Sequence, residues 1–254
     1  MRSSADAGGC FPTGRHYPGI AHLIRAAARG TAEEYSADLL IADLPLVALD
    51  VEATGLEPGV DRVVEIACVV FERGDAALGE PALRVERHSW LINPGRPIPA
   101  EAQAIHHISD EMVRDAPTFA QITELLLPVL ARGVPLAYNA DFDRAFLVAE
   151  FAAARVSPLN PPPALRKGVD WVDPLTWARE LQQGEKSRSL SAVAERLGIE
   201  IGQAHRAADD ATAAGHVLRA FLSDSRVPTT YAAFVREQRR LARVHRDERV
   251  GWRG

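Results

Sequence analysis

The segment Leu46–Val51 is an apolar run interrupted only by Asp50, and a second acidic residue, Glu52, follows it directly. A run of this kind is typical of a central strand that is buried on both faces of a β-sheet. Further strands are predicted over three later segments, residues 62–71, 88–92 and 134–138. Because strands come first and are then mixed with helices, we predict an α/β fold with a mixed sheet flanked by helices.

Helical patterns divide the rest of the chain. Helices are predicted over residues 100–115, 118–131, 141–154, 174–183, 189–197 and 205–222. Near the start, residues 1–16 have a composition typical of disorder, and two short helices are predicted over 20–30 and 31–41. We therefore expect an N-terminal extension (1–44), one main domain (45–225) and a basic C-terminal helical arm (226–254).

Composition excludes several classes of protein. No stretch approaches the roughly 20 apolar residues of a membrane span, and the start lacks the apolar run of a secretory signal. Cys10 and Cys68 are the two cysteines, and neither has the spacing to another cysteine or histidine of a structural zinc site. We expect a cytoplasmic protein with no membrane contact, in which Cys68 is a buried thiol.

The charges are distributed unevenly along the chain. The net charge is −5, yet eight arginines and three acidic residues lie between Arg226 and Gly254. The remainder is therefore strongly acidic, which argues against a protein that holds nucleic acid mainly by bulk attraction to phosphates. It fits an enzyme whose site carboxylates are offset by bound metal.

Asp50 and Glu52 are the first candidate site residues. Because they are two residues apart on a predicted strand, their side chains share one face of the sheet and can reach one metal ion. The alternative is a pair of acids at a strand end, exposed to solvent. Thr54 and Gly55 follow as a turn, where a glycine allows close approach of a substrate to the backbone.

Asp143, His205 and Asp210 complete the candidate site. Asp143 opens a predicted helix, where an acid can also serve simply to stabilise the helix dipole. His205 and Asp210 lie where a loop becomes a helix and could face one cavity, although Asp209 is an equally visible acid. Carboxylates gathered inside a fold repel one another unless a proton or cation separates them. A pair of hard divalent ions would separate them and support phosphoryl chemistry.

Three motifs contain these residues: Asp-x-Glu-x-Thr-Gly at 50–55, Asn-x-x-Phe-Asp at 139–143 and His-x-Ala-x-x-Asp at 205–210. In this order they resemble the motifs of the DEDDh group of DnaQ-like 3′–5′ exonucleases, a family that includes the proofreading epsilon subunit of bacterial DNA polymerase III. The segments 90–99, 105–112 and 173–179 also resemble its linking segments, so the resemblance covers about residues 45–222.

The resemblance implies an RNase H-like fold and two divalent ions, Mg²⁺ or Mn²⁺. Asp50 would bridge both ions, Glu52 and Asp210 would complete the tighter site, and Asp143 would hold the second ion. His205 would act as general base, since the ordinary pKa of a histidine is about 6.5. The resemblance further implies five substrate contacts, from Thr54, Gly55, Leu56, Asn139 and His106.

Two positions depart from the family pattern. Ala53 stands where a threonine is frequent, so one hydroxyl group near the terminal nucleotide is missing. His107 stands where glycine is usual, which is expected to alter a turn near the cleft. Neither departure removes a predicted metal ligand.

The predicted function is metal-dependent 3′–5′ exonuclease activity on DNA, preferentially on single-stranded ends. Two alternatives remain open: an exonuclease that trims RNA, and a polymerase-associated subunit whose main role is to bind a partner. The arm at 226–254 combines apolar residues at helical spacing with arginines around them, namely Arg236, Arg239, Arg240, Arg243 and Arg246. It is interpreted as a terminal helix docked on the domain, with guidance of nucleic acid as the alternative.

Overall fold

A mixed four-stranded sheet forms the centre of the structure. The computed structural model describes residues 39–74 and 82–251. The strands are β1 (Leu46–Ala53), β2 (Val63–Arg73), β3 (Leu83–Leu91) and β4 (Val134–Leu136), in the spatial order β3-β2-β1-β4. β1 and β3 pair with β2 in antiparallel fashion, and β4 pairs with β1 in parallel. The predicted α/β fold with a mixed sheet is confirmed.

Eight helices accompany the sheet in the described part of the chain. They are α1 (Ala100–His106), α2 (Asp110–Val113), α3 (Phe119–Leu130), α4 (Ala140–Ala153), α5 (Pro174–Leu181), α6 (Leu190–Arg196), α7 (Ala207–Phe221) and α8 (Tyr231–Gly251). Short 3-10 turns lie at Ile41–Asp43 and Pro163–Leu165.

Helices cover both faces of the sheet, which is why β1 and β2 are almost entirely apolar. On one face, alternate β1 residues such as Ala48 pack with α7 and with the α5–α8 pair. On the other face, Val47, Leu49 and Val51 pack against α3 and α4. The alternating side chains of β1 thus enter two separate cores, as expected for a strand in the middle of a covered sheet.

The single helix predicted over residues 100–115 is wrong, because two helices lie there. α1 ends at His107, which has a left-handed backbone with φ 60°. Ser109 then caps α2 by accepting a hydrogen bond from the Met112 N–H. A left-handed residue is a common way to end a helix and is usually glycine. His107 adopts this conformation as a residue other than glycine, at some cost in backbone strain.

The other predicted elements differ mainly at their ends. β3 begins at Leu83, five residues before the predicted start, because the polar sequence of residues 83–87 hides a strand on the sheet edge. The last predicted strand is two residues shorter than expected, and α7 begins at Ala207. The disordered start and the helix over 20–30 lie outside the described residues, as does the helix over 31–41 apart from its last three residues.

The C-terminal helix α8 packs on α5. The ring centroids of Trp177 and Phe234 are 4.8 Å apart, and Tyr231 and Leu241 belong to the same core. This agrees with the interpretation of a docked terminal helix; guidance of nucleic acid by its arginines stays a prediction. Within the part of the chain that the structure describes, no helix has the length and apolar character needed to cross a membrane.

Candidate active site

The floor of the site is the end of β1. Asp50 and Glu52 lie on the sheet face that α7 covers, and in the register with β2 they face Ala67 and Glu65. The strand carries them there because their neighbours Leu49 and Val51 enter the opposite core. Both predicted residues are therefore together on one face, half-buried between the sheet and α7.

Asp143 joins them from α4, at the edge of the sheet. β4 pairs with β1 only over Leu46–Ala48, so it ends before it reaches Val51. In the space beyond β4, the Asp143 Oδ1 atom accepts a hydrogen bond from the Val51 N–H at 3.1 Å. The side chain is 3% exposed. A backbone group between Asp50 and Glu52 thus fixes the third carboxylate.

Asp210 lies on α7, and His205 lies in the loop just before this helix. This helix lies close to the sheet because Gly215 has no Cβ, which would lie 2.2 Å from the Phe71 ring. Asp210 Oδ2 accepts a hydrogen bond from the His205 N–H at 3.0 Å, and His205 has a left-handed backbone with φ 61°. Glu52, His205 and Asp210 offer ligand atoms that all lie within 4.8 Å of one another.

Asp209, the competing acid, is turned away from this group. Its Oδ1 atom is 2.6 Å from the Arg87 guanidinium, and its Oδ2 atom accepts a hydrogen bond from the Gln203 N–H at 2.9 Å. These contacts place Asp209 in the structure of the loop that precedes α7. Asp210 alone of the two faces Glu52 and His205.

The four carboxylates Asp50, Glu52, Asp143 and Asp210, called the cleft acids below, share an environment that disfavours negative charge. Burial is the main cause of a raised pKa at each of them. Repulsion by neighbouring carboxylates adds to it, and the pKa of Glu52 rises from 4.5 to about 8. A bound cation would relieve both effects.

Glu65 is a fifth acid beside the cleft that sequence reasoning did not single out. It is 1% exposed and directly faces Glu52 across the β1–β2 pair. Arg206 donates two hydrogen bonds to it at 2.9 and 3.1 Å, and the Ala207 N–H donates a third at 3.2 Å. A lone acid inside the apolar strand sequence was the available signal for a buried, paired carboxylate.

Glu150, on the other side of β1, is likewise a buried acid that is paired with an arginine. It lies on α4, 2% exposed, and accepts two hydrogen bonds of 2.8 Å from Arg62. The Val63 N–H donates a further one at 2.9 Å. This pair ties α4, and with it Asp143, to the start of β2.

The loop after β1 is shaped by Asp61. Its carboxylate accepts hydrogen bonds from the Thr54 hydroxyl and the Glu57 N–H, and a Cβ on Gly55 would lie 2.4 Å from it. Thr54 is only 3% exposed, and its hydroxyl is engaged within the loop. Leu56, by contrast, is 80% exposed at the loop surface.

Asn139 and His106 also differ in the exposure of their side chains. Asn139 precedes α4 with a left-handed backbone, φ 71°, and its exposed side chain makes no capping hydrogen bond. His106 is 2% exposed, and its Nδ1 atom accepts a hydrogen bond from the Ile108 N–H. This burial places the side chain at the end of α1, and the predicted substrate contact of His106 stays a prediction.

Comparison with known proteins connects this arrangement to nucleases. The family model described as Exonuclease (RNase_T) matches residues 47–218. The DNA polymerase III subunit epsilon of Treponema pallidum (strain Nichols) is 34% identical over 164 residues, which are 65% of this chain and 70% of that protein. The epsilon-like protein of Rhodobacter capsulatus is 31% identical over 220 residues, 85% of this chain and 29% of that protein.

The chain also matches part of longer relatives, and it shares its fold with solved structures. The DNA polymerase III PolC-type of Bacillus subtilis is 28% identical over 191 residues, although the chain spans only 12% of its length. Among solved structures, E. coli exonuclease I in complex with a dT13 oligonucleotide matches with a TM-score of 0.57 and 19% identity. That match covers 72% of this chain and 41% of the other. At this identity the likeness shows the fold alone.

Proposed function

Since the chain belongs to the DnaQ-like exonuclease family, as its motifs predicted, we propose that it removes nucleotides from the 3′ end of DNA, single-stranded ends being preferred. The reaction would take place in the cytoplasm and release 5′-mononucleotides. The observation that carries the proposal is the cluster of cleft acids beside His205, whose raised pKa values call for a positive counter-charge.

The donor set fits two divalent ions, because hard cations such as Mg²⁺ and Mn²⁺ prefer carboxylate oxygens. The ion pairs found among the described residues involve other acids, Glu65 and Glu150 among them, and no cleft acid. Asp50 would hold both ions, together with Glu52 and Asp210 at one of them and Asp143 at the other. Bound ions of this kind supply positive charge that favours in-line attack of water on a phosphodiester.

The protein's own groups position the substrate and move the proton. His205, exposed at the rim beside Glu52 and Asp210, accepts the proton of the attacking water. The bond between phosphorus and the 3′ oxygen of the preceding nucleotide then breaks, and that oxygen is protonated. Leu56 and Asn139, which are exposed, would contact the terminal nucleotide together with Thr54, Gly55 and His106. Thr54 and Gly55 also shape the loop that presents Leu56.

DNA is favoured as substrate because the relatives named above are DNA polymerase III proteins. The same relatives make a polymerase a candidate partner of this chain. The chemistry of the cluster does not distinguish DNA from RNA, so RNA trimming is retained as the second arm of the test.

The test uses DNA and RNA of one sequence, labelled at the 5′ end and incubated with Mn²⁺ or EDTA. We expect a ladder of shortened DNA products in Mn²⁺ and none in EDTA. Asp210→Asn and His205→Ala should each reduce the rate by about 10²–10³-fold, as on loss of a group that acts in the transition state. Asp209→Asn, a change of the adjacent acid, is the matched control and should stay near the wild-type rate.

Three results would contradict parts of the proposal. A ladder in EDTA would exclude the role of the metal, and full activity of Asp210→Asn would exclude the assigned cluster. Release of labelled mononucleotide without a ladder would reverse the polarity. Faster shortening of RNA than of DNA would replace the proposed substrate.

A further inference from the structure

We infer that Gln238, on the C-terminal helix α8, is a positioning residue for the corner of the chain that carries Asn139 and Asp143. Helix α8 begins at Tyr231, beyond the region that the family model matches. The inference rests on the proposed function for the role of Asp143, but the contacts that carry it do not depend on any activity.

The first contact is an extension of the sheet beside β4. The Val172 N–H donates to the Pro135 carbonyl at 2.8 Å, and the Val172 carbonyl accepts from the Ala137 N–H at 3.1 Å. Residues 171–173 therefore run alongside β4 in a parallel bridge. Because successive residues of a strand turn their hydrogen-bonding groups to opposite sides, the groups of the two neighbours of Val172 face outward.

Gln238 satisfies those outward groups with a single side chain. Its Nε2 atom donates to the Trp171 carbonyl at 2.8 Å, and its Oε1 atom accepts from the Asp173 N–H at 2.9 Å. The amide thus takes the place of a neighbouring strand. At 7% exposure, little water can replace it, so losing the amide would leave two buried backbone groups without partners.

The neighbouring contacts hold Gln238 in register. Phe234 packs on Trp177 one turn earlier in α8, and Arg239 Nε donates to Asp170 Oδ1 at 2.8 Å. Helix α8 therefore contacts the outer edge of residues 170–173 through two consecutive side chains, Gln238 and Arg239.

The segment passes this support on to the active site. The Asp173 Oδ1 atom accepts a hydrogen bond from the Asn139 N–H at 3.0 Å. Asn139 has a left-handed backbone, which costs energy in a residue other than glycine and needs such support. Asp143 lies one helical turn later and binds the Val51 N–H. A path of direct contacts therefore joins Gln238, Asp173 and Asn139 to the start of α4.

The experiment compares Gln238→Met, which keeps the length and apolar packing, with Gln238→Glu, which keeps only the acceptor. Arg236→Gln, an exposed change on the same helix, is the matched control. Amide hydrogen exchange is measured by mass spectrometry on the metal-free protein. We expect exchange in residues 137–143 and 171–176 to accelerate about tenfold in Gln238→Met, the size of effect from losing a net hydrogen bond.

Activity on single-stranded DNA gives the second measurement. Both Gln238 variants should lower kcat by about 10–100-fold with little change in KM, as for groups that orient metal ligands. The inference is overturned if exchange in 137–143 is unchanged, or if kcat stays at the wild-type value while Asp143→Asn is inactive. If the wild type itself shows no metal-dependent nuclease activity, the proposed function fails, and the exchange data still decide the structural path.

Discussion

Two groups of acidic side chains in this fold have opposite electrostatic surroundings. Glu65 and Glu150 are almost fully buried, and each is bound by one arginine and one backbone N–H. The cleft acids are also withdrawn from water, but burial and mutual repulsion raise the pKa of each. Arg206 lies close enough to lower the pKa of Glu52, yet its hydrogen bonds go to Glu65.

The difference separates acids that hold the fold from acids that are kept ready for a ligand. A paired carboxylate stabilises its surroundings only while its partner is present. An unpaired buried carboxylate costs stability until something positive binds it. Among the described residues arginine pairs with Glu65 and Glu150 but with no cleft acid, and this contrast supports the proposed metal site.

Breaking a paired acid should have the largest effect on stability. Arg206→Ala leaves Glu65 buried with only the Ala207 N–H and the Ser89 hydroxyl as donors. We expect the free energy of unfolding to fall by about 2–3 kcal/mol, below the usual cost for a fully buried pair because Arg206 is 31% exposed. Urea unfolding of the metal-free protein measures it.

The control for this change is Arg240→Ala, which breaks the surface pair with Glu237. Exposed pairs contribute little, so its unfolding midpoint should match the wild type within error. Equal losses from Arg206→Ala and Arg240→Ala would contradict a special role for the buried pair.

Neutralising a cleft acid should instead raise the stability of the metal-free protein. Asp50→Asn removes one buried charge from the cluster without changing the shape of the side chain much. We expect the metal-free protein to gain about 0.5–2 kcal/mol near pH 8, while nuclease activity is lost, as is common when strained functional sites are relieved. Urea unfolding again gives the value, and a less stable Asp50→Asn protein would count against the comparison.

Stability is also expected to depend on pH. The pKa of Glu52 is about 8 in the folded protein, against an ordinary 4.5. The folded state therefore holds a proton that the unfolded chain has lost, and this contribution is present below about pH 4.5 and lost as the pH rises to about 8. Without metal, the midpoint of thermal unfolding should accordingly be several degrees lower near pH 8 than near pH 5.5.

Added Mn²⁺ should raise the midpoint more near pH 8 than at the lower pH, because deprotonated carboxylates bind metal better. Glu52→Gln should flatten the profile. A profile of Glu52→Gln with the same slope as the wild type would show that another group is responsible.

The sequence was most informative where local pattern and chemistry coincide. β1 and α4 were predicted to within two residues, because a covered strand must be apolar throughout and a helix must repeat its apolar residues. The single helix predicted over 100–115 failed because His107 adopts a backbone that its side chain does not announce. The predicted β3 began too late because edge strands tolerate polar residues, such as those between Leu83 and His88.

For the site, the motifs identified the cleft acids and His205, and the structure brings these residues together. What sequence could not provide were partners that are distant along the chain: Glu65 and Arg206 are 141 positions apart. Exposure also separates the predicted substrate contacts, since Leu56 faces solvent and His106 does not. Such differences arise from tertiary packing, and no local pattern reports them.

The early end of β4 has a broader consequence. A strand two residues longer would occupy the Val51 N–H and expel the Asp143 carboxylate from the plane of the sheet. β4 therefore forms a shorter ladder with β1, and the Val51 N–H is left to bind and orient the Asp143 carboxylate. Since that donor belongs to the backbone, no point substitution at Val51 other than proline can remove it. Substitutions of the core side chains around Val51 therefore leave the donor of this hydrogen bond to Asp143 in place.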